Sequence, residues 1–309
     1  MSEYRKHHYV PVFFQKHFTD SNGLFWVYDR ARQNYQKLAP KVVCCQKDLY
    51  AVKPTEATKD QRVESVALAA ADRICAFSLR QLVTGLIVGT QLPDSTTIAN
   101  IAYFVGLQSS RLPSARDYIS SVYKTGAEEI MRLTSVSVER MRSVLDKYSQ
   151  DTGDAVSVSP ESMVEAIRGK HLEVVVTERP FIEHIFKFAQ FLCRMYLKMS
   201  WEILTAPGGA GFLLCDDPLV IVPPEGCPHV GIGIPGAVKY FPLSRDRCLR
   251  MGAFGTGFGY RPINRDTVEI INLNIAANSE RFIMGPDRQQ LERLVTHSGS
   301  VELATAPPI

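Results

Sequence analysis

The residues best suited to chemistry stand near the start of the chain, in Lys6-His7-His8-Tyr9-Val10-Pro11, followed at once by Val12-Phe13-Phe14-Gln15-Lys16-His17-Phe18. Two imidazoles and much apolar bulk are an unusual combination for a terminus, which frays unless something ties it down. In an extended segment neighbouring side chains point to opposite faces, so only one of His7 and His8 can look into any given pocket. Imidazole is a metal ligand and a general base near neutral pH. The second candidate is Asp216-Asp217-Pro218, set between the apolar runs 211–215 and 219–222. Carboxylates in that setting face water, a partner or a metal; the competing reading is an Asx-type turn locked by proline.

If an opening histidine meets Asp216, the expected chemistry is that of a divalent metal ion hydrolysing a phosphodiester. His8 and Asp216 are then the metal ligands or general base, and His7 and Asn272 complete the catalytic set. Gln108, Arg111 and Arg116 bind substrate, the guanidiniums balancing phosphate charge. The substrate class is nucleic acid or another phosphate-bearing ligand. The alternative uses no catalysis: the same residues form a polar pin in the fold or a recognition surface. The residues leave open whether the chain is an enzyme. Nucleophilic hydrolysis is least supported, because no Gly-x-Ser-x-Gly elbow or local cysteine signature is present.

These residues must be positioned by elements that change character along the chain. Asn22-Gly23 is a turn signal, Leu24 to Tyr28 reads as a strand, and Lys41 to Cys45 and Leu49-Tyr50 as short extended pieces. From residue 58 the apolar residues Val63, Val66, Ala70, Ile74 and Phe77 recur at steps of three and four, a helical stripe running to Gly85. Further helices are expected from Pro93, over 113–149, from Ser159-Pro160 to Gly169, and from Arg179 to about Met199. The last carries a polar stripe of Glu183, Lys187, Gln190, Arg194 and Lys198, read as its solvated face. After residue 200 the pattern returns to β, through 201–204, 211–215, 219–222, 239–244 and 248–251. The glycines at 252, 255, 257 and 259 lack the lysine and following helix of a phosphate loop. Residues 264–282 are expected to be helical, with Asn272, Asn274 and Asn278 on or beside the apolar face, where a buried amide must be hydrogen-bonded. A short helix over 287–297 follows, then a frayed tail, 304–309.

Composition is that of an ordinary folded protein: 309 residues, 45% hydrophobic and 22% charged, which excludes disordered and low-complexity classes. A net charge of +3 does not single out nucleic acid, although it leaves room for a local basic groove. Seven cysteines, none spaced Cys-x-x-Cys, fit reduced thiols in a cytoplasmic protein, with Cys44 and Cys45 as packing residues. Neither a secretory leader nor a membrane span is expected, because charges interrupt the apolar stretch 66–89.

The opening is similar to the His-His-Ile-Val-Pro type of start in ββα-metal nucleases, although only Asn22, Asn34 and His17 offer further ligands nearby. A resemblance of wider extent joins four pieces: the His7-to-Pro11 opening with its aromatic run; Gln108 with Arg111, Pro113 and Arg116; Leu214-Cys215-Asp216-Asp217-Pro218; and Pro242-Leu243-Ser244 with the segment Asn272 to Arg281. Together they resemble domain-of-unknown-function family 4238, a mostly bacterial group. Here Val12 and Phe14-Gln15 replace the usual Gln and Tyr-Leu, and Leu-Cys-Asp-Asp-Pro replaces Thr-Ser-Asp-Asn-Pro. The resemblance implies that His8, Asp216 and Asn272 match signature positions, and it implies no activity.

Extended segments at both ends enclose a helical middle, so the expected fold is α+β, a single domain over 1–309. Residues 1–56 pair with 201–285 in a mixed or antiparallel sheet, a helical insertion over 58–200 packs against it as a bundle, and closing helices reach 297. The signature pieces would then converge at one seam.

Overall fold

The computed structural model describes residues 6–55, 58–60, 62–83, 92–227, 231–255 and 257–298. The expected helix end at Gly85 and the tail 304–309 lie outside the described residues. The fold is α+β. In chain order come β1 (Lys6–His8), α1 (Val12–Gln15), β2 (Phe25–Asp29), β3 (Asn34–Leu38), β4 (Cys45–Lys47), β5 (Val52–Thr55) and β6 (Thr58–Asp60). The helices α2 (Ala69–Val83), α3 (Ser95–Ser110), α4 (Pro113–Thr134), α5 (Val138–Thr152), α6 (Pro160–Arg168) and α7 (Arg179–Tyr196) follow. The chain then forms β7 (Ser200–Thr205), β8 (Leu214–Cys215), β9 (Val220–Val222), β10 (Val238–Pro242), β11 (Arg247–Gly252), β12 (Phe258–Pro262), α8 (Arg265–Asn278), β13 (Phe282–Gly285) and α9 (Arg288–Ser298).

Four of the helices, α3, α5, α6 and α8, start where the sequence offers a side-chain cap. Asp94 accepts a hydrogen bond from the Thr97 backbone N–H at 2.6 Å to open α3, and Asn264 does the same for Thr267 at 2.8 Å to open α8. Ser137 caps α5 by accepting from the Arg140 N–H, so the stretch expected as one helix over 113–149 is two, broken at 135–137. The expected helix over 264–282 likewise stops at Asn278. Phe282 belongs to a strand, because β13 finds two open edges, those of β2 and β8.

Strands from the two ends of the chain do share a sheet, ordered β3-β2-β13-β8. The larger sheet, ordered β12-β7-β11-β10-β9, is built from the C-terminal part alone and is antiparallel except where β12 runs parallel to β7. β1 pairs with β4, and β5 with β6, as separate two-stranded ribbons. The side chains of α8 and α9 share one apolar core with both larger sheets, through Ile271, Ile275, Leu291, Leu213, Tyr240 and Ile283.

The chain divides into two compact units, Met1–Pro113 with Ile182–Ile309, and Ser114–Phe181. In the second, α5 and α6 pack together, and Arg168 donates to the backbone carbonyls of Ser135 and Val136 at the helical break. In the first, α3 and α7 approach so closely at Gly106 that a Cβ there would stand 2.7 Å from the Ala189 carbonyl oxygen.

The opening is tied down by its aromatic residues. Phe14 lies parallel to Phe241 of β10 at 5.3 Å and meets Phe104 of α3 edge-on at 5.2 Å. Phe14 and Phe18 are fully buried, and each such side chain contributes roughly 2–3 kcal/mol of apolar burial. α3 and β10 are thereby joined to the first residues.

Candidate functional site

Pairing of β1 with β4 sets Lys6 opposite Lys47, His7 opposite Gln46 and His8 opposite Cys45. Alternation along the strand buries His7 completely and leaves His8 half-buried. His7 Nδ1 accepts the Tyr50 backbone N–H at 2.9 Å, and the two rings stack at 5.5 Å. That bond occupies the Nδ1 lone pair, so this nitrogen is neither base nor ligand. His8 Nε2 donates to the Lys41 carbonyl at 3.2 Å. Burial lowers the His8 pKa, the Lys41 carbonyl opposes the shift, and the Arg111 and Lys6 charges add to it.

Gln108 and Arg111 do reach the opening, but at its backbone. The Tyr9 carbonyl accepts from Gln108 Nε2 at 2.6 Å and from Arg111 Nε at 3.0 Å, which uses both of its lone pairs. Arg111 also donates from Nη1 to Asp72 at 2.9 Å, and its own carbonyl accepts the Tyr50 hydroxyl at 2.8 Å. Both side chains are wholly buried, turned inward rather than toward a ligand surface. Beside them the buried Gln15 donates to the Val10 carbonyl at 2.7 Å. Arg116 lies in the second unit, where its nearest carboxylate is Asp117 at 3.4 Å.

Asp216 is committed too. Its two oxygens accept the backbone N–H groups of Glu280 at 3.0 Å and Arg281 at 2.8 Å, which clamps the turn between α8 and β13. Burial raises its pKa to about 6 against the lowering effect of those bonds, with the Glu280 charge adding to the rise. Asp217 is raised to about 7, by burial first and then by the Asp216 and Glu280 charges. Asn272 accepts the Leu213 N–H and donates to the Gly211 carbonyl, both at 2.8 Å, bracing α8 against the segment entering β8. Asn278 extends that brace to the Asp217 carbonyl at 2.7 Å.

His8 and Asp216 are thus held by different partners. The residue of the opening beside Asp216 is Tyr9: burial first, then the neighbouring Cys44 thiol and the Asp216 charge, hold its phenol far above the usual tyrosine range. Among the described residues no three His, Cys, Asp or Glu side chains are gathered as a metal ion requires.

Sequence reasoning missed the groove outside this pinned cluster. A cavity of about 300 Å3 lies between the β1–β4 ribbon and the sheet of β2, β3 and β13, with Lys6, Arg32, Lys47, Arg281, Asn34 and Gln36 on its walls. Four cations there face one carboxylate, Asp29. Asp29 is held below the usual carboxylate range by its bonds with Arg281, at 3.1 and 2.8 Å. Lys6 and Lys47 stand directly opposite each other across the ladder, a like-charge arrangement that destabilises a strand pair. Lys6 itself was in the quoted opening; its facing partner was not legible without the register of β4.

No helix among the described residues is long and apolar enough to cross a membrane. No curated protein and no solved structure gives a match to the chain. A family model, described as "Protein of unknown function (DUF4238)", matches residues 6–289. That match takes in all four signature pieces with their pins and braces, and the chain belongs to this family.

Proposed function

We propose that the protein is a non-catalytic binding module for a phosphate-bearing ligand, with the buried polar cluster as the pin that holds its cationic groove in shape. The observation that carries this reading is the Lys6–Lys47 pair facing across the β1–β4 ladder beside Arg32 and Arg281. Two lysines at facing ladder positions raise the local positive charge, and an anion bound between them would turn it into charge-assisted hydrogen bonds. The walls also offer the amides of Asn34 and Gln36, which suit phosphate oxygens or a sugar hydroxyl. The bonds of His7, Gln108, Arg111, Asp216 and Asn272 to backbone support a non-catalytic reading, since these polar atoms are already engaged in holding the chain in place.

Titration with a short single-stranded oligonucleotide and with inorganic phosphate, at two salt concentrations, tests the proposal. Binding is expected to weaken steeply with salt and to fall at least roughly tenfold in the Lys6→Glu, Lys47→Glu double variant. Undiminished binding by that variant sinks the reading. In the same preparation, chelator-sensitive degradation of plasmid or RNA that is lost in His8→Ala and Asp216→Ala would instead establish the metal-dependent nuclease.

A further inference from the structure

A second cavity, of about 470 Å3, opens where the end of α7 meets the β10–β11 hairpin. Its walls carry Met195, Met199, Ile232 and Ile234, together with Lys198 and Lys239, and no carboxylate. Lys239 is the unusual member. It sits on β10 opposite Ile221 and Met251. Two positions on, and therefore on the same face of the sheet, Phe241 packs against Phe14 and Phe104. The ammonium stands at the end of that apolar layer with 2% of the residue exposed. It donates one hydrogen bond, to the Ala237 carbonyl at 3.1 Å, and no carboxylate is paired with it among the described residues.

A buried ammonium with one carbonyl and no paired charge is costly, and an apolar side chain of the same length would fill the space without that penalty. Burial accordingly lowers the Lys239 pKa. An anion entering the cavity would offset that penalty, and the wall chemistry selects its kind. Methionine and isoleucine side chains accommodate an aliphatic chain, methionine adapting to its shape. We propose that this cavity binds a small carboxylic acid with an aliphatic tail, its carboxylate on the Lys239 ammonium and its tail against Met195 and Met199. The volume falls within the range of small-molecule sites. The site is separate from the β1–β4 groove and does not depend on it.

The test is calorimetric titration of the full chain with hexanoate, 1-hexanol and inorganic phosphate. Hexanoate is expected to bind saturably, with hexanol and phosphate each at least roughly tenfold weaker, because a charged hydrogen-bonded pair is worth that much or more. Lys239→Met is expected to fold and to lose hexanoate binding by a similar factor. Should it fail to fold, Met199→Trp keeps the lysine, narrows the cavity and is expected to block hexanoate. The proposal is overturned if the wild-type chain shows no saturable hexanoate binding, or if hexanol or phosphate binds as well. Full hexanoate affinity in whichever variant folds overturns it too.

Discussion

At the scale of single residues, the polar side chains of the signature pieces bond mainly to backbone. The Tyr9 carbonyl takes two donors from α3 and its C-terminal cap, Asp216 takes two N–H groups, and Asn272 takes one and gives one. A site for ligands would leave such atoms open. Asp216 and Asp217 also make a prediction about pH. A carboxyl whose folded pKa is raised to about 6 or 7 favours the protonated fold. Its contribution is fully present below the unfolded value and is lost as pH rises through the folded one. Burial lowers the pKa of His8, His17 and His184, which acts in the opposite sense, so the difference between two proteins is the useful measurement. Between pH 5 and pH 8, Asp217→Asn is expected to gain about 1–2 kcal/mol of stability relative to wild type in urea unfolding. Solvent screening at the partly open Asp217 makes the gain smaller than a buried group would show. A constant difference across that range refutes the assignment.

At the scale of elements, the question is what keeps short strands in register. β8 is two residues long, too short to hold its place by ladder bonds alone. Asn272 supplies the missing constraint from α8. Asn272→Ala leaves the Leu213 N–H without its acceptor inside the core, an expected loss of about 2–4 kcal/mol with both partners buried. Chemical denaturation measures it, and a change below half a kcal/mol would mean that the brace is idle. The helical stripes, the Ser159-Pro160 start and the alternation of His7 and His8 were legible, because each is a local pattern. The break at Ser137 was available in principle, since serine before Val138-Glu139 is a cap signal. Termination of the last expected helix at Asn278 was not, because only the waiting edges of β2 and β8 make residues 282–285 a strand.

At the scale of the molecule, the two units differ in how much they bury. Tyr118, Val122, Tyr123, Ile130 and Leu133, all on α4, remain largely exposed. The first unit has continuous apolar cores through β7, β10, β11 and α8. Local stability follows buried contact. Amide exchange is therefore expected to be at least roughly tenfold faster across α5 and α6 than across β10 and β11 under native conditions. Equal protection would contradict this picture.

Taken alone, the sequence determined the α+β class and most element types. Those depend on periodicity, capping and turn chemistry, which act over a few residues. Which groups met was decided by tertiary structure: the Tyr9 carbonyl rather than an imidazole for Gln108 and Arg111, backbone N–H groups rather than His8 for Asp216, and the ladder position of Lys47 opposite Lys6. Strand register and helix approach set such pairings, and a shift of one residue would reverse every side chain involved.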